Sequence, residues 1–218
     1  MTRIIDLSHT VEHGMITYKG LPAPLVCDFW TRESSSQHYT DGSSFYIGKI
    51  ELVGNTGTYV DAPFHRYADG KDLSELPLES LAELDGVVFH SDQSMRAIGP
   101  ELFKGAGVRG KAVLVHTGWS RHWGTDQYFE GHPFLTEDAA RYLQTQGAVF
   151  VGIDSLNIDD TAGRRRPVHS LLLRVGTPIC EHLCNLEQLL DSSFRLHAAP
   201  VKVRSFGSFP VRAYAVVS

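Results

Sequence analysis

The chain has 218 residues, 42% of them hydrophobic, and its formal net charge is −5. This length and hydrophobic content are sufficient to bury one core, so we predict a single domain over residues 1–218. Acidic and basic residues are interspersed, without the run of like charges typical of nucleic-acid arms and membrane-binding patches, so we expect neither kind of partner.

The sequence also argues against a membrane or secreted protein. No apolar stretch reaches the ~18 residues of a membrane-spanning helix, and the start, MTRIIDLSHTVEHG, is too polar for a secretory signal. Three cysteines, Cys27, Cys180 and Cys184, cannot all pair within one chain, which favours reduced thiols. We therefore expect a cytoplasmic protein.

Several segments are β-branched or aromatic, are bounded by Gly or Pro, and are predicted to be strands. They cover residues 45–53, 86–90, 111–116, 148–154, 178–183, 201–205 and 211–217. The polar stretch TRESSSQHYTDGSS, residues 31–44, is predicted to be a mobile loop.

Helix signals lie between these strands. Thr136 caps a helix that stops at Gly147, and Pro167 opens another that ends at Gly176. Three shorter helices are predicted from first-turn prolines and from a possible capping box, at Pro77, at Pro100 and at Asn185 with Gln188. Because strands alternate with helices over the latter half, we predict a mixed α/β domain in which helices cover a sheet.

The segment GNTGTYVDAPFHRYADG, residues 54–70, is the first candidate site. Asp61 and His65 are four residues apart, but Pro63 between them makes a continuous helix unlikely to form. A rigid loop of this kind can aim a carboxylate and an imidazole at one point. The alternative is an aspartate that caps a turn beside a surface histidine.

Two further polar residues lie in apolar surroundings, His169 in PVHSLLL and Glu181 in TPICEHL. A carboxylate in an apolar strand needs a partner, because burying an isolated charge is costly. The alternatives are a core histidine that donates to a backbone carbonyl, and an ion pair between Glu181 and Arg174 or Arg212.

Two weaker metal-site candidates are also present. The run from Cys180 to Cys184 lacks the second cysteine pair that a four-ligand thiolate site would need. An acidic cluster after a predicted strand could hold a cation, although a solvated turn is more common; its members are Asp154, Asp159 and Asp160.

Together these segments resemble the cyclase-like metal-dependent hydrolase family, which includes bacterial kynurenine formamidase and isatin hydrolase. The central motif of that family reads His-x-Gly-Thr-His-x-Asp-x-Pro-x-His, and residues 55–65 read NTGTYVDAPFH. Other segments agree in order along nearly the whole chain: IIDLSHTVEHGM, VLVHTGW, VFVGIDSLNID, HSLLLRVGTPICEHL and APVKVRSFGSFPVRAYAVV.

The resemblance implies a swivelling β/β/α fold, with a mixed sheet or barrel-like core flanked by helices, assembled as a homodimer or tetramer. Carried over by position, Asp61, His169 and Glu181 would be metal ligands and His65 the proton-transfer residue. The two leading histidines of the motif, also ligands in relatives, are replaced by Asn55 and Tyr59.

This replacement changes the expected metal chemistry. An amide oxygen is a weak ligand, and a phenol with a pKa near about 10 binds a metal poorly unless deprotonated. The remaining Asp61, His169 and Glu181 match a three-ligand catalytic site with an open position. We therefore expect one divalent metal, Zn²⁺ or Mn²⁺, with a metal-free site and a two-metal site as alternatives.

The predicted function is hydrolysis of an amide-type C–N bond in a small aryl formamide or cyclic amide. His65 would take a proton from water and return it to the leaving nitrogen, while Asn55 and Tyr59 would hold the substrate carbonyl. Two alternatives remain open. One is a metal-independent lyase or cyclase that uses Tyr59 and His65, and the other is a non-catalytic protein that binds a small molecule.

Overall fold

The computed structural model describes residues 2–92, 94–190 and 192–217, and within them the chain forms thirteen strands and three α-helices. The strands are β1 (Arg3–Asp6), β2 (Leu25–Trp30), β3 (Ile47–Glu51), β4 (Tyr59–Asp61), β5 (Leu84–His90), β6 (Ala97–Ile98), β7 (Ala112–His116), β8 (Phe134–Leu135), β9 (Phe150–Ile153), β10 (Ile179–Glu181), β11 (Phe194–His197), β12 (Ser208–Pro210) and β13 (Tyr214–Val217). The α-helices are α1 (Arg32–Ser36), α2 (Glu137–Gln146) and α3 (Pro167–Arg174). Short 3₁₀ helices cover Pro63–His65, Leu78–Ser80, Pro100–Phe103, Trp119–His122, Asp126–Phe129 and Leu186–Leu189.

Nine strands form one mixed sheet in the order β1-β13-β11-β5-β7-β9-β10-β4-β12, which curls into a half-barrel. The neighbours β5, β7, β9 and β10 are parallel, and the pairs on either side of them are antiparallel. The predicted mixed α/β fold of the swivelling β/β/α type is thereby confirmed. No helix in the described part of the chain is long and apolar enough to cross a bilayer.

An apolar core covers each face of the large sheet. Val113 and Leu114 are adjacent along β7 but pack into different cores, because successive side chains of a strand point to opposite faces. Cys180 joins the core of Leu114, whereas Leu172 of α3 joins the core of Val113. Since both faces are covered, β7 and β9 read as nearly continuous apolar runs, which made them recognisable in the sequence.

Three strands at one end of the sheet position the candidate site. In the antiparallel register, Tyr59 lies opposite Glu181 on β10, and Asp61 lies opposite Ser208 on β12. Residues two apart on a strand share a face, so Tyr59 and Asp61 point to the same side while Val60 enters the core on the other. One side of this sheet end therefore carries four acidic or hydroxyl groups from three separate parts of the chain.

The two longest helices form where the capping signals predict them. The Thr136 side chain accepts a hydrogen bond of 3.2 Å from the Ala139 amide, and α2 ends at Gly147, whose φ of 81° suits glycine. Pro167 occupies the first position of α3. Pro77 and Pro100 precede or begin short 3₁₀ helices rather than α-helices.

Three predictions of local structure are wrong. Within residues 31–44, Arg32–Ser36 forms α1, because the Thr31 hydroxyl caps it by accepting from the Ser34 amide at 3.1 Å. Residues 201–205 form no strand, since the Ser205 amide donates to the Asp72 carboxylate at 2.5 Å instead of to a neighbouring strand.

The proposed capping box at the last 3₁₀ helix is the third error. Asn185 has a left-handed φ of 58°, and its side chain makes no cap hydrogen bond. Its amide nitrogen instead donates to the Asp6 carbonyl at 2.8 Å, which ties the start of this helix to β1. The missed strand β11 follows this helix and pairs with β5 and β13.

Candidate active site

The four residues singled out as metal ligands and proton-transfer group lie together. His169 Nε2 is 3.5 Å from Asp61 Oδ2 and 3.5 Å from Glu181 Oε1. On the other side of Asp61, His65 Nδ1 is 3.5 Å from Oδ1. Asp61 and Glu181 are fully buried, and we refer to these four residues as the Asp61 cluster.

A cavity of about 390 Å³ lies over the Asp61 cluster. His65 and His169 line it together with Asn55 and Tyr59. No hydrogen bond joins the Asn55 side chain to any other residue that the structure describes, so its amide is available to a molecule in the cavity.

His169 is oriented by a carboxylate at the start of α3. Asp159 Oδ2 lies 2.6 Å from His169 Nδ1, and the same carboxylate accepts the backbone amides of Val168 and His169 at 2.8 and 3.1 Å. Burial lowers the pKa of His169, but the hydrogen bonds that its imidazole donates to Asp159 and Asp61, with the charges of Glu181 and Asp61, outweigh burial and raise the pKa to about 10. The Asp159 contact fixes the imidazole with Nε2 directed at the other two acids.

Glu181 is held by three donors. Its Oε2 accepts a hydrogen bond from the Tyr59 hydroxyl and another of 3.3 Å from the Asn157 amide, while Oε1 accepts the Ile158 backbone amide at 2.6 Å. Burial raises the pKa of Glu181 to about 7, against the attraction of His169. The carboxylate is therefore fixed in place yet close to its titration point near neutral pH.

Tyr59 is a buried phenol beside Glu181. Its side chain is 1% exposed, and burial together with the adjacent Glu181 raises its pKa well above the ordinary value. The phenol therefore stays protonated and serves as a hydrogen-bond donor to Glu181, not as an anionic ligand.

Asp61 is the least satisfied acid of the cluster. Oδ1 accepts a hydrogen bond from the Ser208 hydroxyl, whereas the buried Oδ2 has no hydrogen-bond partner among the described residues. Burial raises the pKa of Asp61, but nearby His169 and His65, with the Ser208 hydroxyl, outweigh burial and leave the pKa below its ordinary value. A buried carboxylate oxygen without a hydrogen-bond donor needs a partner, which a cation or an ordered water at this point would supply.

His65 is held at the edge of the cavity. It ends the 3₁₀ helix Pro63–His65, its Nδ1 lies 2.8 Å from the Ser208 hydroxyl, and its side chain is 34% exposed. Gly207 makes this approach possible, because a Cβ at that position would lie 2.6 Å from the His65 Cα. Ser208 thus joins His65 to Asp61.

The local alternatives for the acidic residues are wrong. Asp61 lies within β4 and does not cap a turn. Glu181 pairs with neither predicted arginine, since Arg174 lies 3.6 Å from Asp69 and Arg212 lies 2.9 Å from Asp6.

The acidic run after β9 is not one cation site in the structure. Asp154 accepts the Thr117 amide at 2.7 Å, Asp159 holds His169, and Asp160 lies 3.7 Å from Arg96. The cysteine run is not one either: Cys180 and Cys184 are buried free thiols, and Cys180 belongs to the apolar core.

Sequence reasoning missed several residues of the site, all of which reach it only through tertiary contacts. They are Tyr18, Arg66, Asn157, Arg166 and Ser208, which line the cavity or contact the Asp61 cluster. The only signal for Ser208 is the preceding glycine in the segment SFGSFP, which marks a close backbone approach.

The Asp61 cluster fits a divalent metal. With bonds of about 2.0–2.2 Å, the ligand atoms of a tetrahedral site lie roughly 3.3–3.6 Å apart. Both 3.5 Å separations around His169 Nε2 match this spacing, and the orphaned Asp61 Oδ2 supplies a vacant acceptor. Among the described residues, the set whose ligand atoms all lie within 4.8 Å of one another is Asp61, His65 and His169, which makes His65 a possible ligand and leaves Glu181 outside that set.

Known proteins of two kinds are similar to this chain. Kynurenine formamidases from Bacillus cereus and Bacillus cytotoxicus are 26% and 28% identical over 211 residues, which is 96% of this chain and 95% of theirs. Isatin hydrolase A from Labrenzia aggregata, solved with benzyl benzoate, superposes with a TM-score of 0.84 at 23% identity, covering 99% of this chain and 94% of that one.

A second solved structure extends the likeness to the full length. It is described as a potential metal-dependent hydrolase with cyclase activity, and it superposes with a TM-score of 0.81 at 25% identity, covering 100% of this chain and 99% of that one. The sequence pattern of the family described as "Putative cyclase" matches residues 5–160, most of the chain. The chain therefore belongs to the putative cyclase family.

Proposed function

We propose that the chain hydrolyses an amide-type C–N bond in a small aryl formamide or cyclic amide, with one Zn²⁺ or Mn²⁺ held by Asp61, His169 and Glu181. The observation that carries the proposal is the orphaned Asp61 Oδ2 facing His169 Nε2 at 3.5 Å inside a buried acidic site. Kynurenine formamidases and isatin hydrolase, which this chain resembles, support an amide hydrolase. The metal supplies Lewis-acid polarisation of the carbonyl and activation of water.

His65 is the proton-transfer residue in this proposal. Its Nδ1 is tethered to Ser208, so Nε2 is left to exchange protons with a molecule in the cavity. It takes a proton from the attacking water and returns it to the leaving nitrogen. The side chain of His65 is one-third exposed and can therefore reach the substrate.

Tyr59 and Asn55 have different roles in this proposal. Tyr59 holds Glu181 through its hydroxyl, which removes the need for a second cation on that carboxylate. Asn55, whose side chain has no hydrogen bond to another described residue, donates to the substrate carbonyl or its developing oxyanion.

The proposal is tested on protein purified without chelator. We expect about one equivalent of metal by elemental analysis, and hydrolysis of formanilide or a simple lactam that EDTA abolishes and added metal restores. His65→Ala should abolish turnover while His13→Ala, an exposed histidine outside the cavity, should not. Activity unaffected by both EDTA and His65→Ala would overturn the mechanism.

The same assays separate the two alternatives. Turnover that is insensitive to chelator but lost in Tyr59→Phe would indicate a lyase or cyclase that uses Tyr59 and His65. Saturable binding of a small aromatic molecule without turnover on any substrate would indicate a non-catalytic binding protein.

We also propose a homo-oligomer. The ribbon of β2 and β3 pairs only with itself within the described sheets and exposes large apolar side chains, among them Phe29 at 63% and Ile50 at 59%. A second copy of the chain covering this ribbon would bury them. Light scattering should show a dimer or tetramer that Ile50→Lys weakens, and a monomer at micromolar concentration would contradict this.

A further inference from the structure

The cavity over the Asp61 cluster has a cationic wall although the whole chain has a net charge of −5. Arg66, Arg166 and Lys19 line it together with His65 and His169. Asp61 and Glu181 are fully buried and contact the cavity-lining His169 and Tyr59, and we call them the acids at the base of the cavity. The proposed reaction at an amide bond does not require these cations, so a different ligand has to be identified for them.

Arg166 is anchored but not neutralised. Its Nη1 alone donates to three backbone carbonyls, those of Asp160, Gly163 and Arg165, at 3.0, 2.9 and 2.8 Å. No carboxylate of the described residues forms an ion pair with it, and its Nε and Nη2 have no protein partner there. The guanidinium is therefore held rigidly in a half-buried position with two donors open.

Arg66 is attached to the same segment of chain. Its Nε donates to the Ser170 hydroxyl at 3.2 Å, and that hydroxyl donates to the Arg166 carbonyl at 2.8 Å. Its two terminal nitrogens have no partner within residues 2–92, 94–190 and 192–217. Ser170 thus links two arginines that are 100 positions apart in sequence, and the first of them directly follows His65.

Neighbouring basic residues behave differently. Arg165 donates to Glu137 at 3.1 Å, and Lys19, the third cation of the wall, lies 3.8 Å from Asp126 and 4.0 Å from Glu130. Arg66 and Arg166 differ from both of these residues. They line the cavity, they have N–H groups without a hydrogen-bond partner among the described residues, and they form no ion pair with a described carboxylate.

We propose that the substrate carries a carboxylate in addition to the scissile amide, and that Arg66 and Arg166 bind this carboxylate. The inference rests on the proposed hydrolysis of an amide at the Asp61 cluster. Guanidinium groups match the planar carboxylate through paired hydrogen bonds, and the acids at the base of the cavity repel an anion from the reacting end. The arginines therefore set the direction in which the substrate enters.

The test uses matched pairs of neutral and anionic substrates. Formanilide, the three formamidobenzoate isomers and the corresponding formamidobenzamides are compared for kcat/KM. We expect at least one formamidobenzoate to exceed its benzamide by about tenfold or more, since hydrogen bonds to charged groups are roughly twice as strong as neutral ones.

Variants assign the preference to the arginines. Arg166→Met and Arg66→Met should each remove most of the preference for the anionic substrate, mainly by raising its KM. Arg165→Met is the matched control, because it removes the same charge from the adjacent residue without lining the cavity, and it should keep the preference. If Arg166→Met fails to fold, Arg66→Met and the loss of preference in high salt carry the test.

A binding measurement separates this inference from the proposed function. Calorimetry with benzoate and benzamide requires no turnover, and benzoate should bind more tightly to the wild type but not to the arginine variants. Arginine-dependent benzoate binding without any hydrolysis would keep the anion site and reject the hydrolase. Hydrolysis with equal rates for the anionic and neutral members of every pair, or equal binding of benzoate and benzamide, would overturn the inference.

Discussion

Two polar clusters, each built around a buried aspartate, lie at strand ends of the large sheet, and their hydrogen bonding differs. In the Asp154 cluster, formed by His90, His116, Thr117 and Asp154, the carboxylate accepts the Thr117 amide, the Thr117 hydroxyl and the Gly118 amide at 2.7, 2.6 and 2.8 Å. In the Asp61 cluster, the acid has one hydroxyl donor on Oδ1 and none on Oδ2.

The pKa values of Asp154 and Asp61 are shifted in opposite directions. Burial raises the pKa of Asp154 to about 6 even though neutral donors oppose it. For Asp61 the imidazoles of His169 and His65 outweigh burial and lower the pKa. Asp154 is thus surrounded by neutral donors, whereas Asp61 depends on nearby positive charge and keeps an open oxygen, as the proposed metal site requires.

The largest expected difference between the clusters concerns the histidine of each. His65→Ala should lower kcat for amide hydrolysis by about 10²–10⁴-fold, because it removes the proton-transfer group. His90→Ala, which breaks the 2.9 Å contact with His116, should leave kcat within about twofold. Steady-state kinetics with formanilide measure both, and equal losses would erase the distinction.

Replacing the two aspartates should affect stability in the opposite order, with the larger loss in the Asp154 cluster. Asp154→Ala strands the buried Thr117 and Gly118 amides and should lower the free energy of unfolding by about 1–3 kcal/mol. Asp61→Ala, measured with chelator present, should cost less than Asp154→Ala, because one of its oxygens has no donor to lose. Urea unfolding checks this; a larger loss at Asp61 would contradict it.

Hydroxyl variants give a smaller and sharper contrast. Ser208→Ala frees His65 and Asp61 from their shared partner and should lower kcat by about tenfold, the usual size of an effect on the support of a reacting group. Thr117→Val should cost about 1 kcal/mol of stability and leave kcat unchanged. Rescue of kcat in Ser208→Thr would identify the hydroxyl as the cause.

A further effect, separate from the comparisons between variants, is a pH dependence of stability in chelator-treated protein. His169 has a pKa of about 10 when folded and an ordinary value of 6.5, so its contribution is complete below pH 6.5 and is lost as the pH rises toward 10. The slope is at most about 1.4 kcal/mol per pH unit for one proton. His169→Gln should flatten that part of the profile, and an unchanged slope would show that other groups produce it.

The parts of the fold that sequence predicts are those fixed by local chemistry. Strands β7 and β9 are buried apolar runs, and α2 has Thr136 and Gly147 at its ends. Strand β11 escaped prediction because Arg195 and His197 interrupt its two buried apolar residues. Its pairing with β5 and β13 comes from tertiary contacts rather than from its own pattern.

For the site, resemblance to a family supplied residues that local patterns could not. Asp61, His65, His169 and Glu181 each had a plausible local explanation, and only their convergence distinguishes them. Their supports were hidden for a physical reason, because a hydrogen-bond partner such as Ser208 lies 147 positions from Asp61 and no short-range pattern records it.

The carboxylate of Asp159 has a consequence for how this protein responds to heat. It binds the two amides that begin α3 and also the imidazole of His169, so helix start and ligand geometry share one anchor. Fraying of the first turn of α3 and escape of a bound ion should consequently be a single event. Retained metal would then report directly on the integrity of that helix during thermal denaturation.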